Sequence, residues 1–248
     1  TGRIYNFSRF ENAIPGRAAF EFALSEGRAV LPGLFEDPLE WGSLEAEGVL
    51  RPFDLAAELD RFALDFSGGL AAFSGETGLA RTGAGLRPYL RLDGGVDGAP
   101  VKSDVLGWWP PRFADGARDW VSRSILEGEL ADVTLSVDIP ASVFETRTLT
   151  DEMLDLRFRF IDADVLYMAT MTPLLGLSGE ARLQGNSLSL SGAGGAIGDM
   201  QVDTIFVEIP ELARGAIMCF GGTGETELGD LIALLEQPPL RLPGRYGV

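Results

Sequence analysis

The sequence predicts a mainly β protein, with one elongated, curved and mostly antiparallel sheet that forms an apolar groove and carries one or two short helices. Apolar and polar side chains alternate in several runs, which is the period of a strand with one apolar face. Gly and Pro supply 32 and 14 of the 248 residues, which indicates many turns. Only two segments have helical spacing. We expect one β-groove region over residues 1–248, or two tandem β units with a seam near residues 104–111.

Five runs place apolar side chains two residues apart, so that each set lies on one side of its strand. These sets are predicted to line the groove: Phe20, Phe22 and Leu24; Phe62, Leu64 and Phe66; Val133, Leu135 and Val137; Leu156, Phe158 and Phe160; Leu188 and Leu190. A sixth strand over residues 200–209 is less regular, because Phe206 lies opposite Ile205 and Val207. Glycine-containing stretches such as residues 93–95 are predicted to be turns.

The first helical pattern covers residues 112–127, with Gly128 as its C-terminal stop. Its apolar stripe includes Phe113, Trp120 and Val121, which we expect to pack against one end of the sheet as a cap. The second pattern covers residues 227–235 and ends before Pro238. Two such short helices cannot cover a sheet of many strands.

A short internal echo links two parts of the chain. Phe73-Ser74-Gly75-Glu76 and Leu177-Ser178-Gly179-Glu180 are 104 residues apart. The echo reflects either recurring hairpin chemistry or two related β units in tandem. The residues alone leave both interpretations open.

Composition excludes several classes of function. The chain carries 20 Lys and Arg against 37 Asp and Glu, a net charge of −17, so we predict that nucleic acid is not a partner. It has no His and one Cys, Cys219, which excludes a Ser-His-Asp triad and a His- or Cys-based zinc site. No cofactor and no metal site is predicted. No apolar stretch is long enough to span a bilayer as a helix, and we expect any membrane anchor to lie outside this chain.

Paired acids are the remaining candidate for catalysis. Asp162 and Asp164 can lie on one strand face, and paired carboxylates can serve glycoside hydrolysis or bind Ca²⁺. In so acidic a chain, a solvated strand end is the favoured interpretation. The glycine-rich stretch at residues 192–198 lacks the helix that a dinucleotide-binding loop requires. The sequence therefore predicts that the protein is not an enzyme.

Three ordered segments resemble the AsmA-like proteins of Gram-negative envelopes, of the YhdP/TamB type. The first is the segment LPGLFEDPL at residues 31–39. The second is Trp108-Trp109-Pro110-Pro111, followed by a helix, a glycine and a new strand. The third runs from residue 158 to residue 190, where two strands flank a Pro-containing crossing and a Gly-rich turn. Each motif alone is weakly specific, and their order carries the resemblance.

The resemblance implies a long sheet curled into a groove with an apolar inner face, in a periplasmic protein anchored in the inner membrane. It also implies a non-enzymatic role in carrying phospholipid toward the outer membrane. We therefore expect a phospholipid or another acyl-chain ligand as partner, and other envelope proteins as further partners. The alternative is a structural β-domain, a scaffold or spacer whose interior is filled by its own side chains.

Overall fold

A computed structural model of the chain describes residues 2–3, 16–30, 32, 38–66, 69–109, 111, 115–146, 149–212 and 216–241. Most of these residues form strands, as predicted. The strands are β1 (Gly2–Arg3), β2 (Ala18–Leu24), β3 (Gly27–Ala29), β4 (Leu39–Trp41), β5 (Ser43–Arg51), β6 (Ala56–Phe66), β7 (Gly69–Thr82), β8 (Gly85–Asp97), β9 (Ala99–Pro100), β10 (Ile125–Ile139), β11 (Leu154–Val165), β12 (Leu174–Gln184), β13 (Ser187–Ala193), β14 (Ala196–Ile197), β15 (Met200–Ile209) and β16 (Cys219–Glu225).

Fourteen of the strands form one antiparallel sheet in the order β1-β2-β5-β6-β7-β8-β10-β11-β12-β13-β15-β14, with β16 on β15 and β9 on β10. Strands β3 and β4 form a separate pair. Neighbours in the sheet are mostly neighbours in the chain, because hairpins need only short turns. From β2 to β16 the sheet is eleven strands wide, about 50 Å at ~4.8 Å a strand. The predicted mainly β, antiparallel fold is confirmed.

The helical segments are a π-helical turn (Val101–Val105), α1 (Leu106–Trp108), α2 (Asp115–Ser124), α3 (Val143–Thr146) and α4 (Leu228–Glu236). All except α3 lie at one end of the sheet, which we call the helical end. There the Leu166 N–H donates to the Ser124 carbonyl at 2.7 Å, and the Thr172 N–H donates to Gln237 Oε1 at 2.8 Å. The β3–β4 pair joins this end through the bond from the Gly42 N–H to the Asp65 carbonyl.

Buried side chains form two clusters within the one sheet. The first is centred on Leu64, Phe66 and Ala71 and reaches Trp41 and Trp108 at the helical end. The second belongs to strands β10–β15, and its members include Phe160, Leu174, Leu177 and Val202. One cluster precedes the predicted seam near residues 104–111 and the other follows it. Strand β8, before the seam, and strand β10, after it, are nevertheless paired without a break in register. The division into two units stays a prediction.

Two local predictions are wrong. Residues 93–95, predicted as a turn, lie inside β8, where Gly94 pairs with both Phe73 and Leu135. These glycines serve close contacts between neighbouring strands and not a change of chain direction. The predicted helix over residues 112–127 is the shorter α2, because residues 125–128 begin β10 and pair with the end of β11. The second predicted helix corresponds to α4, shifted by one residue.

The cap prediction is wrong for Trp120, which is 48% exposed on α2. Val121 is half-buried, and Phe113 lies outside the described residues. The tryptophan that packs against the buried cluster of β6 and β7 is Trp108, on the preceding α1. Helical spacing identifies an apolar stripe, but it does not say which of two neighbouring tryptophans meets the sheet.

This arrangement predicts unequal costs for two tryptophan substitutions. Trp108→Ala should lower the free energy of unfolding by about 2–3 kcal/mol, because a large, partly buried ring leaves a gap beside Phe66 and Ala71. Trp120→Ala should cost less than about 1 kcal/mol, since half of that residue faces water. Denaturant unfolding of both variants measures the difference. A larger loss for Trp120→Ala would contradict this placement.

Candidate functional site

The strand register gathers apolar side chains on one side of the whole sheet. Directly paired residues of an antiparallel sheet share a face, so pairing can be followed from strand to strand. Phe22 pairs with Ala46, Ala46 with Phe62, and Phe62 with Phe73. The same series continues through β8 and β10 to β11, where Leu135 pairs with Leu156. We call this surface the apolar face.

All the predicted groove residues lie on the apolar face. They are Phe20, Phe22, Leu24, Phe62, Leu64, Phe66, Val133, Leu135, Val137, Leu156, Phe158, Phe160, Leu188 and Leu190. The pairing adds residues from strands without clear alternation, among them Leu90 and Leu92 of β8, Leu183 of β12 and Val207 of β15. In β8 and β12 the apolar-face positions include Pro88, Gly94 and Gly179, and in β15 Phe206 lies on the opposite face, which weakens the period-2 signal.

Most side chains of the apolar face are only partly buried. Among the described residues, no large side chain is less than 2% exposed, although interiors of two-layer proteins contain many such residues. Val133, Leu135, Leu156 and Leu188 along its middle are all half-buried. Both buried clusters combine adjacent strands of the large sheet with helical-end segments, and of the described residues of the β3–β4 pair only Trp41 joins one of them. Over the described residues, the face is thus an open apolar surface bordered at one end by helices.

In four cross-strand pairs a phenylalanine ring lies against the glycine opposite: Phe20–Gly48, Phe73–Gly94, Phe160–Gly179 and Phe206–Gly221. An ideal Cβ on Gly94 would lie 2.5 Å from Phe73 Cδ1, and one on Gly179 would lie 2.7 Å from Phe160 Cζ. The rings therefore lie over the glycine backbone of the next strand, which also shields it from water. Sequence reasoning missed these glycines, because their partners are known only from the register.

The opposite side of the sheet, the polar face, carries ion pairs between strands. Arg159 pairs with Asp132, and Arg91 contacts Asp138 at 3.2 Å. Asp155 accepts two hydrogen bonds from Arg182, both at 2.9 Å, and two more from Arg157. The bonds from Arg182, and then those from Arg157, hold the pKa of Asp155 well below its usual range. These pairs fasten β10, β11 and β12 in one register.

The Asp155 pairs predict a pH-dependent stability. A carboxyl whose folded-state pKa is lowered stabilises the fold above its unfolded pKa of about 3.9, and that contribution is lost as pH falls below it. Asp155→Asn should therefore lower the free energy of unfolding by about 1 kcal/mol at pH 7, a value that allows for partial exposure of the pair. The difference from wild type should shrink near pH 3.

Urea unfolding at both pH values measures this difference. The control is Asp60→Asn, which removes an exposed acid of β6 and should change stability much less than Asp155→Asn does at pH 7. An Asp155→Asn effect as large at pH 3 as at pH 7 would contradict the role of these ion pairs.

The acid pair considered for catalysis has a structural role. Asp164 Oδ1 accepts a hydrogen bond from the Gly176 N–H at 2.8 Å, and the Asp162 N–H donates to Ser178 Oγ at 3.1 Å. Asp162 has a φ of +48° at a break in the β11–β12 register. Both residues therefore join β11 to β12 by hydrogen bonds where the register of the two strands is irregular. In the described part of the chain, no group of three or more His, Cys, Asp or Glu is placed to hold a metal ion.

Sequence comparison assigns the chain to a known family. The profile of the family described as YhdP protein matches residues 1–243. The chain belongs to the YhdP family. The resemblance to AsmA-like envelope proteins is thereby confirmed, and the YhdP family belongs to that group. No curated protein and no solved structure matches the chain at a significant level. None of the described helices is both long and apolar enough to cross a membrane, and α2, the longest α-helix, has ten residues.

Proposed function

We propose that the apolar face binds the acyl chains of phospholipids, and that this chain is a non-enzymatic, lipid-conducting section of an envelope protein. In this proposal it lies in the periplasm, in a protein anchored in the inner membrane, and supports phospholipid transport between the inner and outer membranes. Membership of the YhdP family supports the envelope assignment. Other envelope proteins are proposed as its further partners.

The observation that carries the proposal is the unbroken apolar face from β2 to β16 without a second layer on the described residues. Exposed apolar surface of this extent is unfavourable in water unless a ligand or partner covers it. Acyl chains need a continuous hydrophobic lining and no directional polar contacts, which is what alternate positions of these strands provide. The polar face, with its inter-strand ion pairs, meets water on the other side.

Two features extend the apolar face toward its ends. At the helical end, Trp41 and Trp108 pack against the same buried cluster as Phe62 and Phe73. At the opposite end, where tight turns join the strands, Leu79 and Leu86 are 40% and 48% exposed. Both leucines belong to the same face by register. An acyl chain could therefore enter or leave at the turn end without passing the helical end.

The test is to purify the chain and analyse its organic extract by mass spectrometry. Co-purified phospholipid supports the proposal, and a clean extract favours the structural β-domain. Titration with phosphatidylcholine brominated on its acyl chains provides a second measurement, because bromine quenches tryptophan emission at short range. Quenching of Trp41 and Trp108 at the apolar face is expected, and it should be lost in Leu135→Asp.

A further inference from the structure

The polar face carries a concavity that the lipid proposal does not use. It has a volume of about 610 Å³ and spans strands β10 to β15. A second concavity of about 410 Å³ adjoins it and shares Arg159, Glu180 and Ser191. Strand register places these three side chains on the polar face. Across five strands the depression is about 19 Å wide, from ~4.8 Å a strand.

We propose that this concavity binds a neutral oligosaccharide. Its polar lining alternates donors and acceptors: Arg157, Arg159 and Arg182 donate, Asp132, Glu180 and Glu208 accept, and the hydroxyls of Thr134, Ser189 and Ser191 do both. With Asp155, which binds Arg157 and Arg182, three guanidinium charges face four carboxylates, a local net charge of −1 in a chain whose net charge is −17. A nearly neutral surface rich in both donors and acceptors suits a ligand made of hydroxyl groups.

The arginines favour a sugar over an anion as the ligand. Arg159 is already paired with Asp132, and Arg157 and Arg182 both bind Asp155. An anion would have to displace carboxylates that hold the sheet in register. A sugar hydroxyl can instead accept from an unused guanidinium N–H and donate to a carboxylate oxygen without breaking either pair.

Phe206 supplies the second half of the site. It is the large apolar side chain of the polar face at this place, and it is 48% exposed. A Cβ on Gly221 would lie 2.7 Å from Phe206 Cε1 and 2.8 Å from Cζ, so the ring rests on the backbone of β16. Because Phe206 pairs with Ser191, the ring borders the polar lining. The negative face of an aromatic ring attracts the polarised C–H groups of a sugar ring.

The experiment titrates the purified chain with chitotetraose, maltotetraose and, separately, inorganic phosphate, and records binding by calorimetry. Phe206→Leu keeps an apolar cover on Gly221 but removes the aromatic face. We expect saturable binding of at least one saccharide, weakened about tenfold in Phe206→Leu. Phe220→Leu is the matched control, because Phe220 is exposed on the adjacent strand but faces the apolar side. It should bind as wild type does.

Nuclear magnetic resonance of the wild-type chain gives a readout that needs no variant. The Nε–H signals of Arg157, Arg159 and Arg182 should shift as the saccharide is added. Three results would overturn the proposal. They are no saturable saccharide binding up to about 10 mM, an equal loss in Phe206→Leu and Phe220→Leu, or phosphate that competes at the same arginines.

Discussion

Leu135→Asp is expected to weaken lipid binding strongly and leave the sheet folded. Leu135 lies in the middle of the apolar face, between Gly94 on β8 and Leu156 on β11. An acyl chain at this position would meet an unpaired carboxylate, which is costly in hydrocarbon. Without lipid, the same carboxylate can remain hydrated, because Leu135 is only half-buried. We expect lipid affinity to fall more than about tenfold, while the free energy of unfolding falls by about 1–2 kcal/mol.

The two quantities must be measured on one protein: bound phospholipid by mass spectrometry, and stability by urea unfolding. Thr134→Asp is the matched control, since it adds the same charge to the neighbouring residue on the polar face, opposite Arg157. It should leave lipid binding intact. Phe158→Asp repeats the test on β11. Global unfolding of both apolar-face variants would favour a self-filled core, and full lipid binding by folded Leu135→Asp would reject the lipid path on this face.

The sequence alone predicts which side of each strand is apolar, because the alternation of apolar and polar residues is a local property of one strand. Phe20, Phe62, Val133 and Leu156 each mark a face of one strand, and the register joins those faces into one. The apolar sides of all these strands lie on the same side of the sheet even where the register breaks. This agreement is a property of the whole sheet. The breaks near Asp132 and Asp162 compensate for changes in the alternation.

The helical end could not be predicted in the same way. Residues 101–108 follow Pro100 and include Gly107, and the helical spacing of Val101, Val105 and Trp108 is too short a run to predict a helix, yet they form a π-helical turn and α1. They are ordered by contacts with the sheet: Val105 and Trp108 pack on the Leu64 cluster. Trp120 satisfies a helical stripe but belongs to neither buried cluster of the described residues, and it stays half exposed. Tertiary packing, which a local pattern does not contain, decides between them.

The polar concavity was also outside the reach of the sequence. Arg157, Arg182 and Ser189 come from three strands, and they become neighbours only through the β11–β12–β13 register. Phe206 did stand out, as the apolar residue on the wrong side of an alternating strand. Its partner Gly221 explains that position, since a ring over a glycine protects backbone that would otherwise be open to water.

Gly179→Ala is expected to unfold much of the second cluster, although it adds one methyl group. An ideal Cβ on Gly179 would lie 2.1 Å from the Ser191 carbonyl oxygen and 2.7 Å from Phe160 Cζ, well inside contact distance. Phe160 is itself buried in that cluster. Relief requires β13 to move away from β12, which breaks ladder hydrogen bonds. We expect a loss of about 3 kcal/mol or more, at the upper end for overpacked sites.

The control is Gly116→Ala on α2, where an added Cβ meets nothing within 4 Å. It removes the same backbone freedom from the unfolded chain, so the difference between the two variants isolates the clash in the folded state. Gly116→Ala should be neutral or stabilising by up to about 1 kcal/mol. The double variant Gly179→Ala with Phe160→Leu separates the two contacts. Because the carbonyl of Ser191 is the nearer obstacle, trimming the ring should restore little stability; full recovery would assign the strain to the ring and leave the strand spacing free to adjust.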